Sequence, residues 1–243
     1  MRLNRSLGLT GLMTLLLAGS GALAATFTPV AFTGNANIDA TLFVSGPSGD
    51  FTTTNSFATP FSIPASGDNL SVVSPGDPLS ITGLSIARAT DVFTLIDASS
   101  PVAGDKFGAV SFSFSDGTVE MVDLVAGGNV RDYYDGSFTN TVTDSYVENA
   151  FTYTDTQGGA GTGNASTGLI GTYRIDEQDF ALGSFAEGKV LSGVTVSSVG
   201  GDGSPLVLGV TVESVPEPST WTMLLVGFAG MGGLMRQRAG TLA

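Results

Sequence analysis

Two short acidic stretches hold most of the residue types able to do chemistry in this chain. Asp132-Tyr133-Tyr134-Asp135 sets two carboxylates and two phenol rings in four consecutive positions, beside Gly136. Carboxylates are hard oxygen donors of the kind calcium takes, and a tyrosine ring can stack on a sugar face. The stretch therefore reads as a loop that holds calcium or touches a glycan, or else as a solvated turn whose tyrosines pack on a sheet edge. No cofactor is expected beyond that calcium. Further on, Arg174 is followed by Asp176, Glu177 and Asp179. Arg174 and Asp176 alternate, so on a strand they share a face and can pair, and on a surface strand such a pair contributes little. Paired carboxylates also hydrolyse glycosides when they stand about 5–10 Å apart in a cleft. The chain has no histidine and no cysteine. Ser-His-Asp and Cys-His nucleophile systems are thereby excluded, as are His- or Cys-ligated zinc and haem. What remains is carboxylate pairs, tyrosines, or a serine activated by Lys106 or Lys189.

These residues must be carried by strands. Thr, Ser, Val, Gly and Phe dominate the middle of the chain, and such residues favour strands and turns. "VSFSF" puts Val110, Phe112 and Phe114 on one face. "PLVLGVTVE" puts Leu206, Leu208, Val210 and Val212 on one face, and "SGVTVSS" does so with Val194 and Val196. Phe107–Val125 around Asp116-Gly117 predicts a hairpin. In "TVEMVDLVAG" the alternation slips between Met121 and Val122, as a β-bulge or a strand buried on both faces would make it do. Residues 158–168, "GGAGTGNASTG", predict a loop. The weaker patterning of the first 60 or so residues of the body predicts edge strands or a loosely packed part. Short strands with this punctuation predict an all-β fold, an antiparallel sandwich. Asn69-Leu70-Ser71 and Asn164-Ala165-Ser166 match the glycan acceptor pattern N-x-[ST], which we read as coincidence.

The two ends differ from the body. Arg2 and Arg5 precede an apolar stretch from Leu7 to Leu17, and Ala22-Leu23-Ala24 follows. That is the pattern of a secretory signal peptide over 1–24, cut by signal peptidase between Ala24 and Ala25. At the other end, Thr220 to Met235 would make about 24 Å of helix, short of a hydrocarbon core of about 30 Å. Arg236 and Arg238 would keep the C-terminus in the cytoplasm. Pro216 and Pro218 keep the peptide before that segment extended. An extended peptide beside a membrane is open to a processing enzyme.

Pro216-Glu217-Pro218, Trp221, the apolar run and the terminal arginines together resemble a PEP-CTERM sorting signal. The resemblance covers about the last 25 residues. It implies recognition by an exosortase, a membrane-embedded transpeptidase-like enzyme of Gram-negative bacteria, and an association with exopolysaccharide production. More weakly, Asp91 to Glu213 resembles the galactose-binding-like jelly-roll sandwiches of other exported bacterial proteins, an architecture that serves many functions.

The domain organisation expected is a signal peptide at 1–24, a jelly-roll-like sandwich at 25–215, and a sorting signal at 216–238 with a short transmembrane helix at 220–235. The body holds 5 basic and 21 acidic residues, a net charge of −16. Such a charge repels nucleic acid and anionic lipid. The function expected is that of a non-catalytic surface or extracellular-matrix protein. It would pass through an inner-membrane intermediate, reach the cell surface or medium, and contact exopolysaccharide. The alternatives are a secreted hydrolase that uses carboxylates and an adhesin or appendage subunit.

Overall fold

The computed structural model describes residues 24–31, 36–37, 48–65, 67–134, 139, 141–155 and 171–216. Within them Ala25–Glu217 is one compact unit. Its strands are β1 (Thr26–Val30), β2 (Gly49–Thr52), β3 (Pro60–Ile63), β4 (Ser71–Val72), β5 (Leu79–Ala87) and β6 (Ala89–Ser99). They continue with β7 (Lys106–Phe114), β8 (Val119–Val125), β9 (Val147–Asp155), β10 (Gly171–Ala181), β11 (Val190–Ser198) and β12 (Ser204–Ser214). One sheet runs β1-β12-β6-β10-β9, with β4 beside β12, and the other runs β5-β11-β7-β8. Every strand pair is antiparallel. The molecule is the expected all-β sandwich.

The hairpin β7–β8 forms where the alternation places it, with Ser113 opposite Val119. Gly117 takes a left-handed φ of 84° in its turn, a conformation open to glycine at little cost. Val110, Phe112 and Phe114 point together into the core between the sheets, as do Val194 and Val196. Each such side chain removed from water contributes about 1.5–3 kcal/mol.

The larger sheet is covered on both faces, which the alternation did not announce. Val92 and Ile96 of β6 join the core between the sheets. Phe93 and Leu95 join a second core on the opposite face, beneath Phe61 and Ile63 of the β2–β3 hairpin and Leu70. The N-terminal part of the body therefore supplies edge strand β1 and a lid over the outer face. β12 corrects the one-face reading of "PLVLGVTVE". Its register shifts between Val207 and Gly209, so Leu206 and Leu208 face the outer core while Val210 and Val212 face the inner one. A bulge reverses the facing of every residue beyond it. β8 corrects another reading: its pairing runs without a shift from Val119 to Leu124, and it lies at the sheet edge. Val119 and Met121 are outward and exposed. The slip there marks an edge strand with apolar residues on its solvent side.

Two corners at one end of the sandwich move the chain between sheets. Arg88 alone links β5 to β6. Residues 182–189, with a 3-10 turn at Gly183–Ala186, link β10 to β11. β12 finishes at the same end, where the Val215 N–H donates to the Arg88 carbonyl at 3.2 Å. The loop 53–59 joins β2 to β3 over the outer face, and Asn55 there donates to Glu177 Oε2 at 2.7 Å. Asn69 is buried and its side-chain amide donates to the Pro64 carbonyl, so it is not presented as a glycan acceptor. Residues 158–168 and Asn164 lie outside the described residues.

Candidate functional site

At the end of β6 far from Arg88, about 30 Å away by strand rise, β6 and β10 separate. Their pairing stops at Ile96 opposite Asp176. The segment Arg131–Tyr134 enters the fork. The Ala98 N–H donates to the Arg131 carbonyl at 2.9 Å and the Tyr133 N–H to the Ala98 carbonyl at 2.9 Å. On the other side the Arg174 N–H donates to the Tyr133 carbonyl at 2.8 Å, and Tyr134 bridges Tyr173. The acidic stretch picked out from its composition is thus stitched between two strands.

The side chains there are mostly enclosed. Asp132 is 1% exposed. Its Oδ2 accepts the Ser100 N–H and its Oδ1 the Tyr134 N–H, each at 2.7 Å. Burial pushes its pKa up to about 6 against the pull of those two bonds. Tyr133 is 6% exposed and Tyr173 fully buried, with ring centroids 5.9 Å apart, and Tyr134 packs on Tyr173 at 5.0 Å. Burial, then the neighbouring Asp132 charge, pushes the Tyr133 hydroxyl up to about 12. Asp135 lies outside the described residues, as does Gly136. Among the described residues, no group of three or more acidic side chains is arranged to hold a metal ion.

Four residues of the same fork, Asp97, Arg131, Arg174 and Asp176, went unnoticed or were misplaced in the sequence. Asp97 is completely buried, and its Oδ2 accepts the Asp176 N–H at 3.1 Å. Burial, and next the Asp176 carboxylate, holds its pKa well above the ordinary range. Asp176 is bound by Arg131, not by a surface pairing with Arg174: Arg131 Nε and Nη2 donate to its two oxygens at 2.6 and 2.7 Å. Arg174 is itself 8% exposed and its charge acts on both Asp97 and Asp132. β10 is an inner strand of a sheet covered on both faces, not a surface strand, and Glu177 is as buried as Asp97. The signal for Asp97 was present in the sequence as a carboxylate inside the apolar run Val92–Ala98.

Two neighbouring carboxyls in unlike environments are what acid–base catalysis uses. Here the pair is sealed, with Asp97 at 0% and Asp176 at 1% exposure. What the arrangement accomplishes is to close the fork. Carboxylates replace missing ladder acceptors, and cations offset the buried negative charge. The two lysines make different contacts. Lys106 pairs with Asp123 at 2.6 Å. The Lys189 ammonium sits 4.0 Å from the Phe185 ring centre and 5.3 Å from that of Phe114.

At the chain's two exits, Ala24 and Ala25 are exposed just ahead of β1 and Pro216 is half-buried just beyond β12. Ala22, Glu217, Pro218, Trp221, Arg236 and Arg238 lie outside the described residues, as does the apolar segment 220–235. Among the described residues, no helix is long and apolar enough to cross a membrane.

Residues 214–239 match the PEP-CTERM protein-sorting motif. The motif begins on Ser214, the last residue of β12. It marks an exported protein that is anchored in the membrane until an exosortase processes it. No curated protein and no solved structure matches the chain, so the likeness to galactose-binding-like domains finds no support among known neighbours.

Proposed function

We propose that this chain is a non-catalytic surface or matrix protein. Signal peptidase removes residues 1–24, an exosortase removes the tail, and the sandwich then works outside the cell in contact with exopolysaccharide. The carrying observation is the junction at Ser214. The last sheet residue is the first residue of the sorting motif, so the motif is mounted directly on a folded body. The body's charge of −16 supports a soluble life outside the cell. The non-catalytic part of the reading is supported by the sealing of Asp97 and Asp176, since a hydrolase must bring its carboxylates to substrate.

The test is the double substitution Pro216→Ala/Pro218→Ala. Alanines lift the proline constraint that disfavours helix at the recognition peptide. Signal cleavage should persist and tail removal should stop. A double variant still trimmed at the same place would refute the exosortase reading of this tail.

A further inference from the structure

The body has only five basic residues, Arg88, Lys106, Arg131, Arg174 and Lys189. Lys106 and Arg131 are held in ion pairs at 2.6 Å, and Arg174 is enclosed in the fork with Asp97 and Asp132. The other two, Arg88 and Lys189, line one cavity of about 730 Å³ at the opposite end of the sandwich. Among the described residues, neither has a carboxylate partner within 4.0 Å. In so acidic a chain, two cations gathered at one cavity and not spent on ion pairs need an explanation.

Each is held by the fold and not by a carboxylate. Arg88 is the one-residue corner between the sheets and takes a left-handed φ of 56°. Glycine or asparagine adopts that conformation at less cost, and a strained side chain kept at a corner points to a use for it. Its backbone is fixed from both sides, by its N–H to the Lys189 carbonyl at 3.4 Å and by Val215. The Lys189 ammonium rests on the Phe185 and Phe114 rings, an attraction that leaves its hydrogen-bond donors available. Asp116 and Glu120 feel its charge at longer range. Gly183, Ser184 and Gly188 line the cavity, and among the described residues Glu187 is the one acidic residue in its lining.

We propose that this cavity binds a carboxylated sugar of an acidic polysaccharide. The proposal rests on the glycan-contact reading above and gives it a site and a ligand class. The volume lies within the range of about 300–1,000 Å³ typical of small-ligand sites, enough for a sugar or two. Arg88 supplies the planar donor fork that suits a carboxylate, and Lys189 a second point charge. The rest of the surface repels a polyanion, so the polymer is confined to this corner. One carboxylate per site makes each contact weak, and repetition along the polymer makes the association firm.

The test uses the compact unit Ala25–Glu217, with tetragalacturonate as probe and neutral cellotetraose as control, by calorimetric titration at low salt. Tetragalacturonate should bind saturably and cellotetraose should not. Arg88→Gln and Lys189→Gln should each weaken binding about tenfold, the value of one charge-assisted hydrogen bond. Arg88→Lys should recover part of the loss, and Lys106→Gln should bind as wild type. Unchanged melting temperatures would show that the losses are not unfolding. Binding that survives both glutamine variants, or no uronate binding by wild type, would overturn the site. Vesicles rich in phosphatidylglycerol that compete through Arg88 and Lys189 better than tetragalacturonate would overturn the sugar assignment in favour of a lipid phosphate. If the glutamine variants still sediment with acidic polysaccharide as wild type does, the site is wrong and the broader reading stands. If wild type sediments with no glycan, the broader reading falls first.

Discussion

Arg131 clamps the Asp176 carboxylate from both sides, Nε to Oδ2 at 2.6 Å and Nη2 to Oδ1 at 2.7 Å. The carboxylate is 1% exposed and the guanidinium side chain 19%. Removing only the cation leaves the buried Asp176 carboxylate beside Asp97 without its partner. We expect Arg131→Met to lower unfolding free energy in urea by about 3–5 kcal/mol. Adding Asp176→Asn should restore part of that loss, because no unpaired charge is then left behind. A single variant as stable as wild type would show that the clamp does not hold the fork.

Stability should rise as the medium is made mildly acidic. Burial pushes Asp132 up to about 6, and burial followed by the charges of Asp91, Glu213, Glu177 and Asp144 pushes Asp179 up to about 7, both from 3.8. A raised folded-state pKa means that the folded protein holds the proton more tightly than the unfolded chain. The resulting stabilisation is complete below the unfolded value and is lost as pH rises through about 6 and 7. Asp97, Glu120, Glu177 and Glu213 shift in the same direction. Unfolding free energy at pH 5 should exceed that at pH 8 by on the order of 2 kcal/mol. Asp179→Asn should flatten the slope between pH 6 and 8. A profile that falls on acidification over this range would contradict the burial of these carboxyls.

Gly108 should tolerate no side chain. A Cβ there would lie 2.5 Å from the Ser197 backbone carbonyl and 3.1 Å from Pro205. A strand carbonyl cannot swing aside, so Gly108→Ala must push β7 from β11 at the centre of its sheet. The expected cost is about 1–3 kcal/mol, read as a lower urea midpoint. Gly188→Ala meets nothing within 4 Å, but its φ of 71° sets a smaller strain penalty. A Gly108→Ala variant less perturbed than Gly188→Ala would mean that the two strands are not packed this closely.

The strands that alternate could be read because one of their faces meets a core and the other meets water. Phe112 and Val194 belong to that class. β6 reads "VFTLIDA" because both of its faces are covered, and in such a run a carboxylate such as Asp97 carries no periodic signature. The bulge at Leu208 is likewise invisible, since Leu and Val suit either core. Asp132 drew notice by its type and neighbours, but its enclosure depends on β6 and β10 parting after Ile96, a long-range event. Arg131 and Asp176 are 45 positions apart, and nothing local pairs them. The sorting signal was legible because it works as a peptide, through proline, an apolar run and basic residues in fixed order.

Removal of both ends in passage to the outside is read from the intact mass of the protein recovered outside cells that carry an exosortase. The expected chain starts at Ala25 and lacks residues 220–243, with any attached sugar visible as added mass. In cells without the exosortase the chain should start at Ala25, keep its tail and stay in the membrane fraction. A secreted chain that retains residues 220–243 in the presence of the exosortase would refute processing by that enzyme.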